Sequence, residues 1–235
     1  YYESLKISLE DTMKKLLIAA LMAVACVVSA SAMTVGLRGD VDFGNAGFKT
    51  TENGKQTPDF IKADTVTSGS GGIWVDIPLL NLKVLSLGLR PEFEFGFNQG
   101  FVVKQDDNSV KLTSSNVTIP LFLDVCVNIL SVRLSLGIGP YLSLPISFVD
   151  TETKFGTQTI QKPTTAWDAH SWGIAAYLQA GLKLGPGYLL VDGRASTPFG
   201  NQDWKAVTAS GDSGTVITAK TYRISVGLGY EFTFE

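Results

Sequence analysis

Between Leu85 and Phe97 the chain reads LSLGLRPEFEFGF, with an apolar residue at every second position. Leu85, Leu87, Leu89, Pro91, Phe93, Phe95 and Phe97 share one parity; Ser86, Gly88, Arg90, Glu92, Glu94 and Gly96 share the other. Successive side chains of a strand point to opposite faces, so this segment is a strand with one greasy and one charged side. It alternates for 13 residues, and a second run, Val132 to Phe148, alternates for 17. Strands in soluble sheets average about five or six residues, whereas a tilted strand that crosses a membrane needs about 9–11. At roughly 3.3 Å per residue and a tilt near 40°, ~13 residues rise about 33 Å, enough to cross an apolar band of about 25 Å.

Downstream of residue 32 the alternation recurs, and no segment shows a convincing 3.6-residue apolar period. Eight strands are expected, at about 33–44, 71–80, 83–97, 113–128, 131–149, 170–184, 188–199 and 216–234. Short joins at Asn81-Leu82, Ile129-Leu130 and Gly185-Pro186-Gly187 alternate with long polar connections at 45–70, 98–112, 150–169 and 200–215. All short turns therefore fall at one end of the fold and all long loops at the other, the asymmetry of an outer-membrane barrel. Two hairpins also echo each other: Ile77-Pro78-Leu79 matches Ile119-Pro120-Leu121, and LSLGLRPEF from Leu85 matches LSLGIGPYL from Leu134. A duplicated hairpin suits an up-and-down barrel.

The two parities differ in charge and in aromatics. The apolar parity carries one charge, Lys220, next to a loop. The other carries fourteen: Arg38, Asp40, Asp42, Asp76, Arg90, Glu92, Glu94, Asp124, Arg133, Lys183, Asp192, Arg194, Arg223 and Glu231. Arg38, Asp40, Arg90, Glu92, Glu94, Asp124, Arg133, Asp192, Arg194 and Arg223 are the candidate lumen charges, and near-balance of sign predicts a plug of ion pairs, not a wide pore. Gly88, Gly137, Gly139, Gly173, Gly181, Gly227 and Gly229 lie on the same parity and leave room for long side chains in an eight-stranded lumen. On the apolar parity, Phe43, Phe97, Phe148, Trp172 and Phe199 sit at the loop end, and Tyr230, Phe232 and Phe234 at the turn end. Two aromatic bands are the girdles expected where lipid meets water. Prolines 78, 91, 120, 140, 145 and 198 fall inside strands, where each removes a ladder hydrogen bond and predicts a local bulge.

The 235 residues carry a net charge of -3, and no basic stripe exists to hold nucleic acid. MKKLLIAALMAVACVVSASA, beginning at Met13, reads as a secretory signal: a positive n-region at Lys14 and Lys15, an apolar run from Leu16 to Val28, and Ala30-Ser31-Ala32 for cleavage. Residues 1–12 then read as an over-extended gene start, 13–32 as the signal peptide and 33–235 as one barrel domain. Ala23-Val24-Ala25-Cys26 is a degenerate lipid-attachment motif, less well matched than the cleavage site beyond it. After cleavage only Cys126 remains, so no internal disulfide can form.

The eight alternating segments, IPLFLDVCVNILSVRLSLGIGPYLSL from Ile119 and the ending GLGYEFTF resemble the small outer-membrane β-barrel superfamily, with its OmpA membrane-domain, OmpX and OmpW types. The resemblance covers nearly all of 33–235. Gly229, Phe232 and Phe234 match the terminal signal read by the barrel-assembly machinery, although Glu235 follows the last aromatic. The family implies an eight-stranded antiparallel all-β barrel in the outer membrane of a diderm bacterium. It also implies assembly partners, and roles in adhesion, envelope stability or passage of small apolar molecules.

Little catalytic chemistry is legible. A single His170 excludes multi-His metal sites, no cysteine pair has zinc spacing, and SGSGG at 68–72 lacks the Lys and helix of a phosphate loop. No cofactor is expected. WDAHSW, from Trp167, places Asp168, His170 and Ser171 at the mouth of the sixth strand, and some lipid-A-modifying barrels use His and Ser at such a rim. Asp168 and His170 can share a face, but Ser171 points to the other, so a non-enzymatic strand start is the reading adopted. The expected function is an integral outer-membrane barrel with a filled lumen. Its partners are membrane lipid, the assembly machinery, and host or envelope ligands met by the four long loops. The alternatives are a narrow OmpW-like channel for small or apolar solutes, and a soluble periplasmic ligand-binding barrel with the greasy face inside.

Overall fold

The computed structural model describes residues 33–52, 55–56, 62–82, 84–105, 108–149, 154–155, 158–160, 170–200, 202–208 and 211–233. The segments expected as gene-start extension and signal peptide lie outside them. Eight long strands run β1 (Thr34–Glu52), β2 (Val66–Asn81), β3 (Leu85–Gln105), β4 (Asn108–Ile129), β5 (Val132–Val149), β6 (Ser171–Leu184), β7 (Gly187–Pro198) and β8 (Gly211–Thr233). Each pairs antiparallel with the next, and β8 pairs with β1 from Thr34↔Thr233 to Glu52↔Thr215, which closes the sheet. Among the described residues every regular element is a strand. The expected eight-stranded up-and-down barrel is the fold of the chain.

Register partners give the barrel its tilt. From Ser171 on β6 they lead through Ser143, Thr118, Glu94, Gly72, Arg38, Gly229 and Leu190, and return to β6 at Gly181, ten residues further on. Eight strands with that stagger tilt about 40° from the axis. The lumen is then narrow enough for side chains to fill.

The apolar parity faces outward. Ile73, Leu136, Ile138, Leu178, Val226 and Leu228 are all more than half exposed, while Arg90, Glu231 and Asp42 are fully buried. A soluble barrel requires the opposite, so the inverted periplasmic reading is overturned. Outward Phe43, Phe97, Trp172 and Phe199 are exposed at the loop end, and Trp172 packs edge-on against Phe199 at 5.1 Å. Corrected for the stagger, these four and Tyr222 lie roughly 18–21 Å above Tyr230 along the axis, and Phe232 about 5 Å below it. The upper aromatics and the Tyr230–Phe232 pair on β8 bound a band of about 25 Å, the height of an outer-membrane apolar belt. Tyr230 packs on Phe232 at 4.7 Å and donates from its hydroxyl to the Leu184 carbonyl at 2.6 Å. The side chains of Phe148 and Phe234 lie outside the described residues. The turn end is uneven, since the exposed Leu85, Leu130 and Leu184 lie roughly 10–14 Å below Tyr230.

Two expectations need correction. Much of the predicted loops is strand: β1 runs on to Glu52, β3 and β4 together take up nearly all of 98–112, and Gln202–Thr208 pairs with β8. Above the girdle both faces of a strand meet water, so the ladder continues after the two-residue apolar signal has gone. Lys183 is exposed instead of lining the lumen, because β6 ends one residue later. The prolines behave in two ways. Register shifts occur at Pro78 and where Asn116 meets Pro145. At Pro91, Pro120 and Pro140 the register holds but the ladder is interrupted, between Pro91↔Leu121 and Glu94↔Thr118 and between Pro120↔Tyr141 and Leu123↔Ile138.

Candidate functional site

The lumen is the candidate site, and inward alternation on all eight strands builds it. In its turn-end half, Asp76 of β2 accepts from Arg90 Nε at 2.5 Å, from Arg90 Nη2 at 3.0 Å and from Arg133 Nη2 at 3.3 Å. Arg133 also donates to Glu231 of β8, which lies 3.7 Å from Arg90 Nη2. Arg90 Nη1 donates to Gln179 Oε1 at 3.2 Å. Its guanidinium lies between the Trp74 and Tyr177 rings, 5.2 and 4.6 Å from their centroids. Tyr177 in turn donates to Asp124. This cluster crosses the lumen, from Arg90 on β3 to Gln179 and Tyr177 on β6 and from Arg133 on β5 to Glu231 on β8.

The loop-end half is more acidic. Arg38 pairs with Asp40 and donates to Glu94 at 2.5 Å. Arg194 donates to Glu92 at 2.6 and 3.2 Å and to Asp192 at 2.7 Å, and Arg223 donates to Glu94 at 2.5 Å. Asp42 takes a hydrogen bond from Gln99 at 3.0 Å, and Asn116 holds Gln99 at 3.1 Å. Within this half, three guanidiniums (Arg38, Arg194, Arg223) face five carboxylates (Asp40, Asp42, Glu92, Glu94, Asp192). Below the mouth, Glu94, Thr118, Tyr141, Arg194 and Arg223 enclose a cavity of about 10 Å³, room for about one water.

All ten lumen charges expected from the sequence are buried or nearly so, and they meet in these two clusters. Asp42, Asp76 and Glu231, counted on the inner parity but not singled out, prove central. Pattern reading missed the aromatic walls: Trp74, Phe122 and Tyr177 are buried at the same parity as the charges. The signal was present in the glycines. A Cβ on Gly36 would collide with the Trp74 ring, and one on Gly137 with the Tyr177 ring, so each glycine makes the space its neighbour fills.

At the mouth, Ser171 is hydrogen-bonded to Tyr141, a lumen residue, while Trp172 faces out. Asp168 lies outside the described residues. Cys126 is a free, buried thiol that donates to Asn128 at 3.7 Å. Among the described residues no group of three acidic, His or Cys side chains is arranged to hold a metal.

No protein-family model matches the chain, and no curated protein matches it in sequence. Solved structures do match in fold. The outer membrane protein OprG from Pseudomonas aeruginosa aligns with a TM-score of 0.51 at 16% identity, covering 86% of this chain and 96% of its own. The outer membrane protease OmpT from Escherichia coli aligns at 0.50 and 8% identity, covering 88% and 98%. Neisserial surface protein A aligns at 0.40 and 13%, covering 85% and 97%. At these identities the likeness is one of fold, that of the outer-membrane barrels.

Proposed function

We propose that the chain is an integral outer-membrane β-barrel, exported by its signal peptide with cleavage near Ala32, whose role is surface interaction or envelope structure and not catalysis. The observation that carries this reading is the lumen: among the described residues buried ion pairs reach across it, and the cavity beside Arg194 and Arg223 has room for about one water. With ion pairs packed across the middle, function passes to what the barrel presents at its loop end. Host or envelope ligands would meet the connections at 45–70, 98–112, 150–169 and 200–215, carried on strands that stand above the girdle. Its other partners are outer-membrane lipid and the assembly machinery, which would read Gly229, Phe232 and Phe234. Deleting Phe232 to Glu235 should then lower outer-membrane levels in cells, and undiminished levels would remove that signal.

The decisive experiment is conductance of the refolded barrel in planar bilayers, with sugar uptake into liposomes alongside. No stable channel is expected, and reproducible single-channel steps would overturn the filled-lumen reading. One observation favours a second reading, narrow OmpW-like passage of small apolar solutes out through the wall. Pro91, Pro120 and Pro140 stand on three neighbouring strands where the ladder is interrupted, Pro140 exposed on the outer face and Pro120 buried against the lumen cavity. Uptake of a small aromatic hydrocarbon by liposomes, lost when those prolines are replaced by Ala, would establish that reading without any ionic conductance.

A further inference from the structure

The loop-end half of the lumen has more negative than positive charge, and the excess converges on one place. Asp40 of β1 and Asp192 of β7 both pair in register with Gly227 of the strand between them. Each uses Oδ2 for its arginine, Asp40 with Arg38 and Asp192 with Arg194 at 2.7 Å. Ser70 also donates to Asp40 Oδ2, at 3.4 Å. Each leaves Oδ1 without a hydrogen-bond partner, on residues 7% and 4% exposed. Both free oxygens are aimed at the same spot, the position a side chain on Gly227 would take. A Cβ there would strike Asp40 Oδ1 and lie 2.7 Å from Asp192 Oδ1. A buried carboxylate oxygen with no partner is costly, and two that converge on one point repel each other.

We propose that Asp40 and Asp192, over the glycine gap at Gly227, bind a monovalent cation of sodium size. Charge asks for it, since three guanidiniums face five carboxylates in this half of the lumen among the described residues. Ligand chemistry selects the class. Carboxylate oxygens suit hard cations, but divalent calcium takes 6–8 oxygens. Two carboxylate oxygens, with the room for about one water in the neighbouring cavity lined by Arg194 and Ser225, fall far short of a calcium shell and suit a singly charged ion. The site lies midway between the two girdles, so a bound ion links β1, β8 and β7 where the sheet closes. The inference stands on the lumen and holds for either role of the loops.

The test uses the full mature barrel refolded in detergent. Its thermal unfolding is followed by the boiling-dependent gel shift, in sodium chloride and in tetramethylammonium chloride at equal ionic strength. At sodium about tenfold above its Kd, the midpoint should rise by roughly 4 °C over tetramethylammonium. Asp192→Asn, which keeps the shape, should lose that difference, and wild-type crystals soaked in rubidium should show an anomalous peak between Asp40 and Asp192. Equal midpoints in both salts would overturn the proposal, even with a rubidium peak, because binding would then occur at crystal concentration only. So would a rubidium peak elsewhere, or a sodium effect that survives in both Asp192→Asn and Asp40→Asn.

Discussion

The same strands present two surfaces with opposite rules. Outside, Leu, Ile and Val stand side by side and exposed, with no charged or hydrogen-bonded side-chain partner to satisfy. Inside, Arg90 answers to Asp76, Gln179, Trp74 and Tyr177 together, and no neutral replacement satisfies all four. The outer wall needs only the absence of charge, a demand lipid enforces. The lumen needs complementarity, because each buried charge has to find an opposite one. The difference teaches that alternation specifies the wall, while pairing specifies the plug.

The largest effect should come from breaking the plug. Arg90→Ala leaves Asp76 and Glu231 to share Arg133, and should lower unfolding free energy in urea and lipid by about 3–5 kcal/mol. Loss below about 1 kcal/mol would mean that the turn-end pairs are not coupled. Next is a charge on the wall. Ile138 lies near the middle of the belt, so Ile138→Arg should cost about 2–4 kcal/mol and block insertion into vesicles. Leu136 sits level with Tyr230, near the lower girdle, so Leu136→Arg should insert better; equal failure of both would dissolve the depth assignment. A smaller loss, about 1–3 kcal/mol, is expected for Tyr177→Phe, which strips Asp124 of its donor. The smallest belongs to Leu178→Ile, an exchange against lipid, which should stay within about 0.5 kcal/mol. A large loss there would show that the wall at β6 packs on a specific partner.

Strand number, the outward face and the charge-lined lumen were legible because lipid imposes a rule that survives in any one sequence: no charge on the outer parity, aromatics at its edges. The partners inside were not. Nothing in the spacing says that Arg194 of β7 reaches Glu92 of β3, because the pair meets across the barrel and depends on the stagger. The continuation of strands above the girdle was also hidden. Once both faces are wet, QGFVVKQDDNSVKL from Gln99 no longer alternates cleanly, yet its residues 99–105 and 108–112 form the top of β3 and β4. The inner aromatics fell between the two rules, since Trp74 sits at a charged parity and Gly36, which makes its space, is on another strand.

The uneven turn end has a mechanical consequence. Leu85, Leu130 and Leu184 carry the apolar wall below the lower aromatic ring on the β2–β6 side, while β8 carries its ring of Tyr230 and Phe232 higher up. A cylinder that is greasier for longer on one flank is not wetted evenly when it stands upright. It leans until the long flank is immersed, or thickens the leaflet locally there, at a cost of fractions of a kcal/mol per Å of mismatch. The bilayer is thereby given a preferred direction around the protein, and a barrel that leans presents its loop end at a slant.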